Sequence, residues 1–212
     1  MKIEVRDVGL VVEFSSPQRC LSSAVLGGGL GEIKTWLNLQ VDLSYSCRDP
    51  QGDLRRAAVG LQEPVVGMLT AAKVDRYTTA TQGSATTIAT LGLRRPIAAA
   101  APAHPEHVDM PVGTINLLAV VDVALTDAGL VNALQTAVEA KAQALAAARV
   151  SAGNFDGFAT GTATDAICIA CPPGKDVDYA GPATAHGHDL AACVYRTILD
   201  GATAWQARRA GT

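Results

Sequence analysis

The apolar residues of this chain change periodicity only a few times, and the order of those changes limits the fold more than any single motif. Residues 2–14, 33–45, 65–70, 77–90 and 112–125 read as strands, by alternation or as short β-branched runs. A short helix is expected over 53–61, after Asp49-Pro50. From Thr126-Asp127 the period becomes helical, returns to strand over 157–171, and is helical again at the end. Strands gathered early and long helices late predict an α+β fold. The sheets are expected to be mixed or antiparallel, with two longer helices, about 127–149 and 185–207, packed on them. At about 150 residues per domain, 212 residues make one domain over 1–212. Residues 94–111, with four prolines and two histidines, are expected to be a flexible loop and not a boundary, because the strand-rich segments on either side look too small to stand alone.

Composition narrows the function. Seventeen basic against 20 acidic residues leave −3, too balanced for a nucleic-acid face or a polybasic membrane anchor. Aromatics at 4% are too few for base-stacking platforms, and 49% apolar residues supply a core. Thirty-eight alanines and 20 glycines imply close backbone packing. The N-terminal residues alternate charge with aliphatics, unlike a secretory signal, and the run 115–125 is broken and too short for a bilayer. A cytoplasmic location is expected, with the five cysteines reduced. A homodimer is the base-rate expectation for assembly.

Several residues stand out chemically. Leu130, Leu134, Val138 and Leu145 share one helical stripe, and Lys141 falls inside it. A lysine there must either reach water at the rim or serve a site. Glu139 lies about 160° away around the helix. Ala159-Thr160-Gly161-Thr162-Ala163-Thr164-Asp165-Ala166 is dense in hydroxyls; on a strand its threonines would share one face and Asp165 the other. Gly161 would let a ligand approach closely. Thr114 and Asn116 point the same way on the most apolar strand, where an asparagine could bind a substrate amide or tie down a loop. His186 and His188 open the last helix, suited to a general base or a metal ligand, or to a solvent-facing cap. Cys168-Ile169-Ala170-Cys171 and His104-Pro105-Glu106-His107 have metal-like spacings, but residues three apart on a strand face opposite sides, and no metal site is expected. Neither a phosphate-binding loop nor a G-x-S-x-G elbow occurs.

Ordered blocks over nearly the whole chain resemble the adenosylcobinamide amidohydrolase family. They are Ser22-Ser23-Ala24-Val25-Leu26-Gly27-Gly28-Gly29; Asn38-Leu39-Gln40-Val41, then Tyr45 and Asp49-Pro50; Met68-Leu69-Thr70-Ala71-Ala72; Gly113-Thr114-Ile115-Asn116; Glu139-Ala140-Lys141; and the threonine-rich block ending at Ala166. Gly181, Thr184 and Gly187 match a closing block, from which Pro182, Ala185, His186 and His188 depart. The resemblance implies hydrolysis of the amide joining aminopropanol to the corrin ring's propionyl side chain, giving adenosylcobyric acid in cobamide salvage. It implies a small-molecule corrinoid as partner, without nucleic acid or membrane. No cofactor of the protein's own is expected, because the cobalt comes with the substrate. The residues expected to carry the chemistry are Asp165 or Glu139 as base and Lys141 or Asn116 at the oxyanion. Asn38, Thr114, Thr160, Gly161, Thr162, Thr164, His186, His188, Gly28 and Gly29 are expected to bind substrate. A threonine nucleophile at 160, 162 or 164 is the covalent alternative, and a corrinoid carrier without catalysis is the rival from another class.

Overall fold

A computed structural model describes residues 1–101 and 113–211. Eight strands form one mixed sheet: β1 (Lys2–Arg6), β2 (Gly9–Ser22), β3 (Gly29–Gln40), β4 (Val65–Thr70), β5 (Thr78–Gln82), β6 (Ala85–Leu91), β7 (Ile115–Val121) and β8 (Ala166–Cys171). Their order is β4-β3-β2-β8-β7-β6-β5. The β3–β4 and β7–β8 pairs are parallel and the others antiparallel. The first half of β2 pairs with β1, and the second half pairs with β8. Helices α1 (Pro50–Ala57), α2 (Asp127–Ala147) and α3 (Ala185–Ala210) complete the fold. This is an α+β arrangement, with strands from before and after the proline-rich segment in one sheet.

The central strands β7 and β8 read INLLAVV and AICIAC, apolar on both faces because both faces are covered. Ile115, Leu117, Ile167 and Ile169 pack under α2 and α3. Leu118, Cys168 and Ala170 point the other way, against Leu10, Val12, Trp36 and Met68. Among the described residues no α-helix supplies that second core: β4 and β6, far apart in the sheet order, meet there with Val74 of a short 3-10 turn, so the sheet rolls inward on itself. Side chains of β3 and β7, with two strands between them in the sheet order, touch inside the roll. Leu54 of α1 caps the β3–β4 end against Val11, Leu37 and Val65.

Helix ends follow the sequence closely. Thr126 accepts from the Gly129 amide and Thr184 from the Gly187 amide, while Asp49 caps α1 through Gly52. The buried face of α2 differs from the expected stripe. Leu130 and Leu145 are buried, but Val138 is 44% exposed, and Ala133, Ala137, Ala140 and Ala144 line the contact instead. Alanines let α2 lie close to α3 and the sheet, so the packed face rotates toward the small residues. Residues 77–90 form a hairpin and not one strand, because Gly83 turns at φ +50°. Residues 159–165 are not strand, which overturns the expected face alternation of their threonines. Of the segment expected as a loop, 102–111 lie outside the described residues, including His104 and His107. Among the described residues no helix is long and apolar enough to cross a membrane.

Gly201 marks the closest approach of α3 to the sheet: a Cβ there would sit 2.5 Å from Leu91 Cδ1. Gly201→Val should therefore destabilise the fold by about 1–3 kcal/mol, read as a lower midpoint in urea unfolding.

Candidate active site

A cavity of about 260 Å³ opens at the end of the roll, lined by Val25, Val41, Tyr45, Met68, Leu69, Thr70, Thr114, Asn116, Thr164 and Ala166. Its polar wall is built by the starts of β7 and β8, which run parallel and bring Thr114 beside Thr164. Their hydroxyls are hydrogen-bonded to each other, and the Thr164 hydroxyl also lies 3.1 Å from the Gly113 carbonyl. Asn116 is 1% exposed. Its amide donates to the Leu69 carbonyl at 2.8 Å and to Asn38 Oδ1 at 2.7 Å. Asn38 in turn donates to Thr90 Oγ1 at 2.8 Å. Asn38 is thus a buried support behind Asn116. Both amide hydrogens of Asn116 are engaged, so the expected role of donor to an oxyanion does not fit this geometry.

Asp165 stands next to the cavity wall, turned toward the helices. Its carboxylate pairs with Lys141, and the two side chains are 12% and 8% exposed. Oδ1 also accepts from the Ile115 amide at 3.1 Å and lies 2.5 Å from the Thr162 hydroxyl. The Thr162 amide approaches both carboxylate oxygens at 3.2 Å. Gly161 leaves room for this pair: a Cβ would fall 2.4 Å from Asp165 Oδ2 and 2.7 Å from Lys141 Nζ, so the two charged ends would have to shift. The lysine that interrupts the apolar stripe of α2 therefore serves an ion pair and does not snorkel to the rim. The same contacts occupy Asp165 on every side, so its first task is to hold the threonine-rich turn against the start of β7.

A larger cleft of about 700 Å³ adjoins the cavity through Val41. Gln40, Leu43, Leu91 and Trp205 line it with Lys73, Arg76, Arg94, Arg208 and Arg209, and Arg209 lies 5.0 Å over the Trp205 ring. Sequence reasoning missed these cations, which converge from three separated segments and share no motif. It also passed over Tyr45, which lay within a matching block. Tyr45 donates to Asp53 at 2.7 Å. Burial and that bond push its phenol well above the usual range. The Cys47 thiol, then Tyr45 and the Arg56 guanidinium, hold Asp53 down to about 2.

The sequence of this chain fits one known profile over its length: that of the adenosylcobinamide amidohydrolases, which matches residues 1–210. The chain belongs to that family. A protein of Halobacterium salinarum named adenosylcobinamide amidohydrolase is 35% identical over 153 residues, 68% of this chain. The alignment spans 62% of that relative's length. A protein of the same name from Methanosarcina mazei is 28% identical, over 95% of this chain and 97% of its own.

Several blocks that carried the family resemblance now share one place: Val25, Val41, Tyr45, the strand 68–70, Thr114, Asn116 and Thr164 all border the smaller cavity. Other expected residues stand elsewhere. Glu139 is exposed on α2, facing away from Lys141, which removes it as a base. His186 touches the Tyr179 carbonyl and His188 is exposed. The start of α3 is tied by Asp189 to Ser84, at the far end of β6 and β7, about 20 Å along the strands from Asp165. The histidines are thus not part of this site. Thr160 is exposed and accepts from the Ala99 amide at 2.9 Å, and Thr162 lines neither cavity. Gly28 packs against the Ala24 carbonyl; it and Gly29 shape the turn that carries Val25 but line neither cavity. Cys168 and Cys171 belong to different cores on opposite faces of β8, so their spacing does not converge.

Breaking the buried pair from one side, by Asp165→Ala or Lys141→Ala, should cost about 3–5 kcal/mol in urea unfolding. The double variant Lys141→Met/Asp165→Leu should recover part of that loss, since no unpaired charge remains. At acid pH the sign follows from Asp53. Its folded value of about 2 lies below an unfolded value of about 3.9, so its contribution is present above pH ~4 and lost as pH falls toward ~2. Asp53→Asn should flatten that acid limb, measured as unfolding midpoint against pH.

Proposed function

We propose that this protein hydrolyses the amide joining aminopropanol to the corrin propionyl side chain of adenosylcobinamide, releasing adenosylcobyric acid and 1-amino-2-propanol for cobamide salvage. The observation that carries the reading is a family match over residues 1–210 on a chain several of whose matching blocks border one two-part cleft. Its larger part has aliphatic walls and basic donors, which suit an apolar macrocycle rimmed with amide carbonyls. Its smaller part suits the aminopropanol arm.

In this reading water is the nucleophile. Its oxygen bonds to the amide carbon, the C–N bond breaks, and the amine leaves with a proton. Thr114 and Thr164 orient the water through their hydroxyl oxygens, since the Thr164 hydrogen goes to the Gly113 carbonyl and the Thr114 hydrogen to Thr164. Asp165 and Lys141 act as positioning residues, fixing the two loops that carry those hydroxyls. The corrin cobalt belongs to the substrate, and water is the only co-reactant. The covalent route is less favoured: the hydroxyl best placed beside a carboxylate, Thr162 at 2.5 Å from Asp165, lines neither cavity.

The purified protein incubated with adenosylcobinamide should form adenosylcobyric acid, detected by mass spectrometry. Corrinoid binding without product would favour a carrier instead. Thr164→Ala should lower kcat by on the order of 10²-fold with the fold intact. An acyl-enzyme trapped on wild-type protein and missing from Thr164→Ala would replace water attack by the covalent route.

A further inference from the structure

Among the described residues, two buried side-chain polar atoms have no hydrogen-bond partner: the Trp36 indole nitrogen, deep in the rolled core, and Asn116 Oδ1. Asn116 differs from Trp36 in lining the smaller cavity. Its orientation is fixed by its neighbours. Nδ2 faces the Leu69 carbonyl, which can only accept, and Asn38 Oδ1, whose own amide is held by Thr90. Turning the amide over would set oxygen against oxygen at Leu69. The orphan is therefore an acceptor by construction, and burial without a donor carries a free-energy penalty comparable to a lost hydrogen bond.

We infer that Asn116 Oδ1 accepts the N–H of the ligand's arm amide, and that this bond makes the smaller cavity selective for amides over esters. The inference rests on the amidohydrolase reading for the identity of the arm. The other walls agree with it. Val25, Val41, Met68 and Leu69 offer no donors from their side chains. An amide presents a donor and an acceptor side by side, whereas an ester of the same shape presents only acceptors. It would leave Asn116 Oδ1 without a donor. A site built to receive an N–H discriminates against the analogue that lacks it, because its own buried group then stays unpaired.

The test compares adenosylcobinamide with an analogue whose arm is joined through an ester oxygen. Binding to wild-type protein is read by stopped-flow quenching of tryptophan fluorescence, before turnover. The ester should bind roughly 10- to 100-fold more weakly. In Asn116→Ala the amide should fall to the level of the ester, with ester affinity unchanged. If that variant does not fold, the wild-type ligand pair alone decides. Equal affinity of the wild type for both ligands would overturn the inference while leaving hydrolysis of the amide untouched. Tighter amide binding without formation of adenosylcobyric acid would support the inference and remove the hydrolase reading. Failure of the wild type to bind either ligand would overturn it as well.

Discussion

The Asp165 carboxylate is the contact on which the site depends. One side chain receives Lys141 from α2, the Ile115 amide from the start of β7 and the Thr162 amide from its own turn. Lys141 stands on a rigid helix, so the carboxylate ties the threonine-rich turn and the start of β7 to α2. A carboxylate accepting several backbone N–H groups and a lysine is nearly as well solvated as in water, which offsets the cost of burying it. Without it, Thr164 and Thr114 would lose their shared register, and with it the polar wall of the smaller cavity.

The rolled sheet explains why that wall can exist inside a core. Helices cover one face only, so the other face closes by curling until β3, β4, β6 and β7 meet. Curling brings Asn38, Thr90 and Asn116 together, three buried polar residues that pair with each other. Their chain of hydrogen bonds locks side-chain orientation, as buried networks do when nearly every member is satisfied. The exception is Oδ1 of Asn116, a residue that lines the smaller cavity. A strained or unsatisfied group tends to persist where the rest of the structure over-determines it.

Small side chains serve the same end. The alanine face of α2 and Gly201 of α3 bring both helices close to the sheet. That draws the end of α3, with Trp205 and its arginines, to the mouth of the larger cleft. The basic rim thus comes from packing geometry: an acidic chain gathers cations from residues 73–76, 94 and 208–209 at one spot.

The sequence alone determined the α+β class, the starts of the two long helices and the family, while most strand ends shifted by several residues. Thr126, Thr184 and Asp49 cap their helices through local contacts, and local contacts are written in adjacent residues. The oddity of Lys141 was legible as well, because a charge in an apolar stripe demands a partner. Its partner was not, since nothing in periodicity pairs residue 141 with 165. Glu139, His186 and His188 looked suitable by residue type, yet α2 turns Glu139 outward and the direction of α3 carries the histidines to the opposite end of the strands. The threonine-rich block resembled a strand because threonine favours one, and only the carboxylate at its end bends it into a turn. Tertiary structure alone decided that Asn116 is an acceptor and not a donor, because that depends on the Leu69 carbonyl arriving from β4. Sequence fixes what each residue can offer, while the curl of the sheet settles which of those offers is already taken.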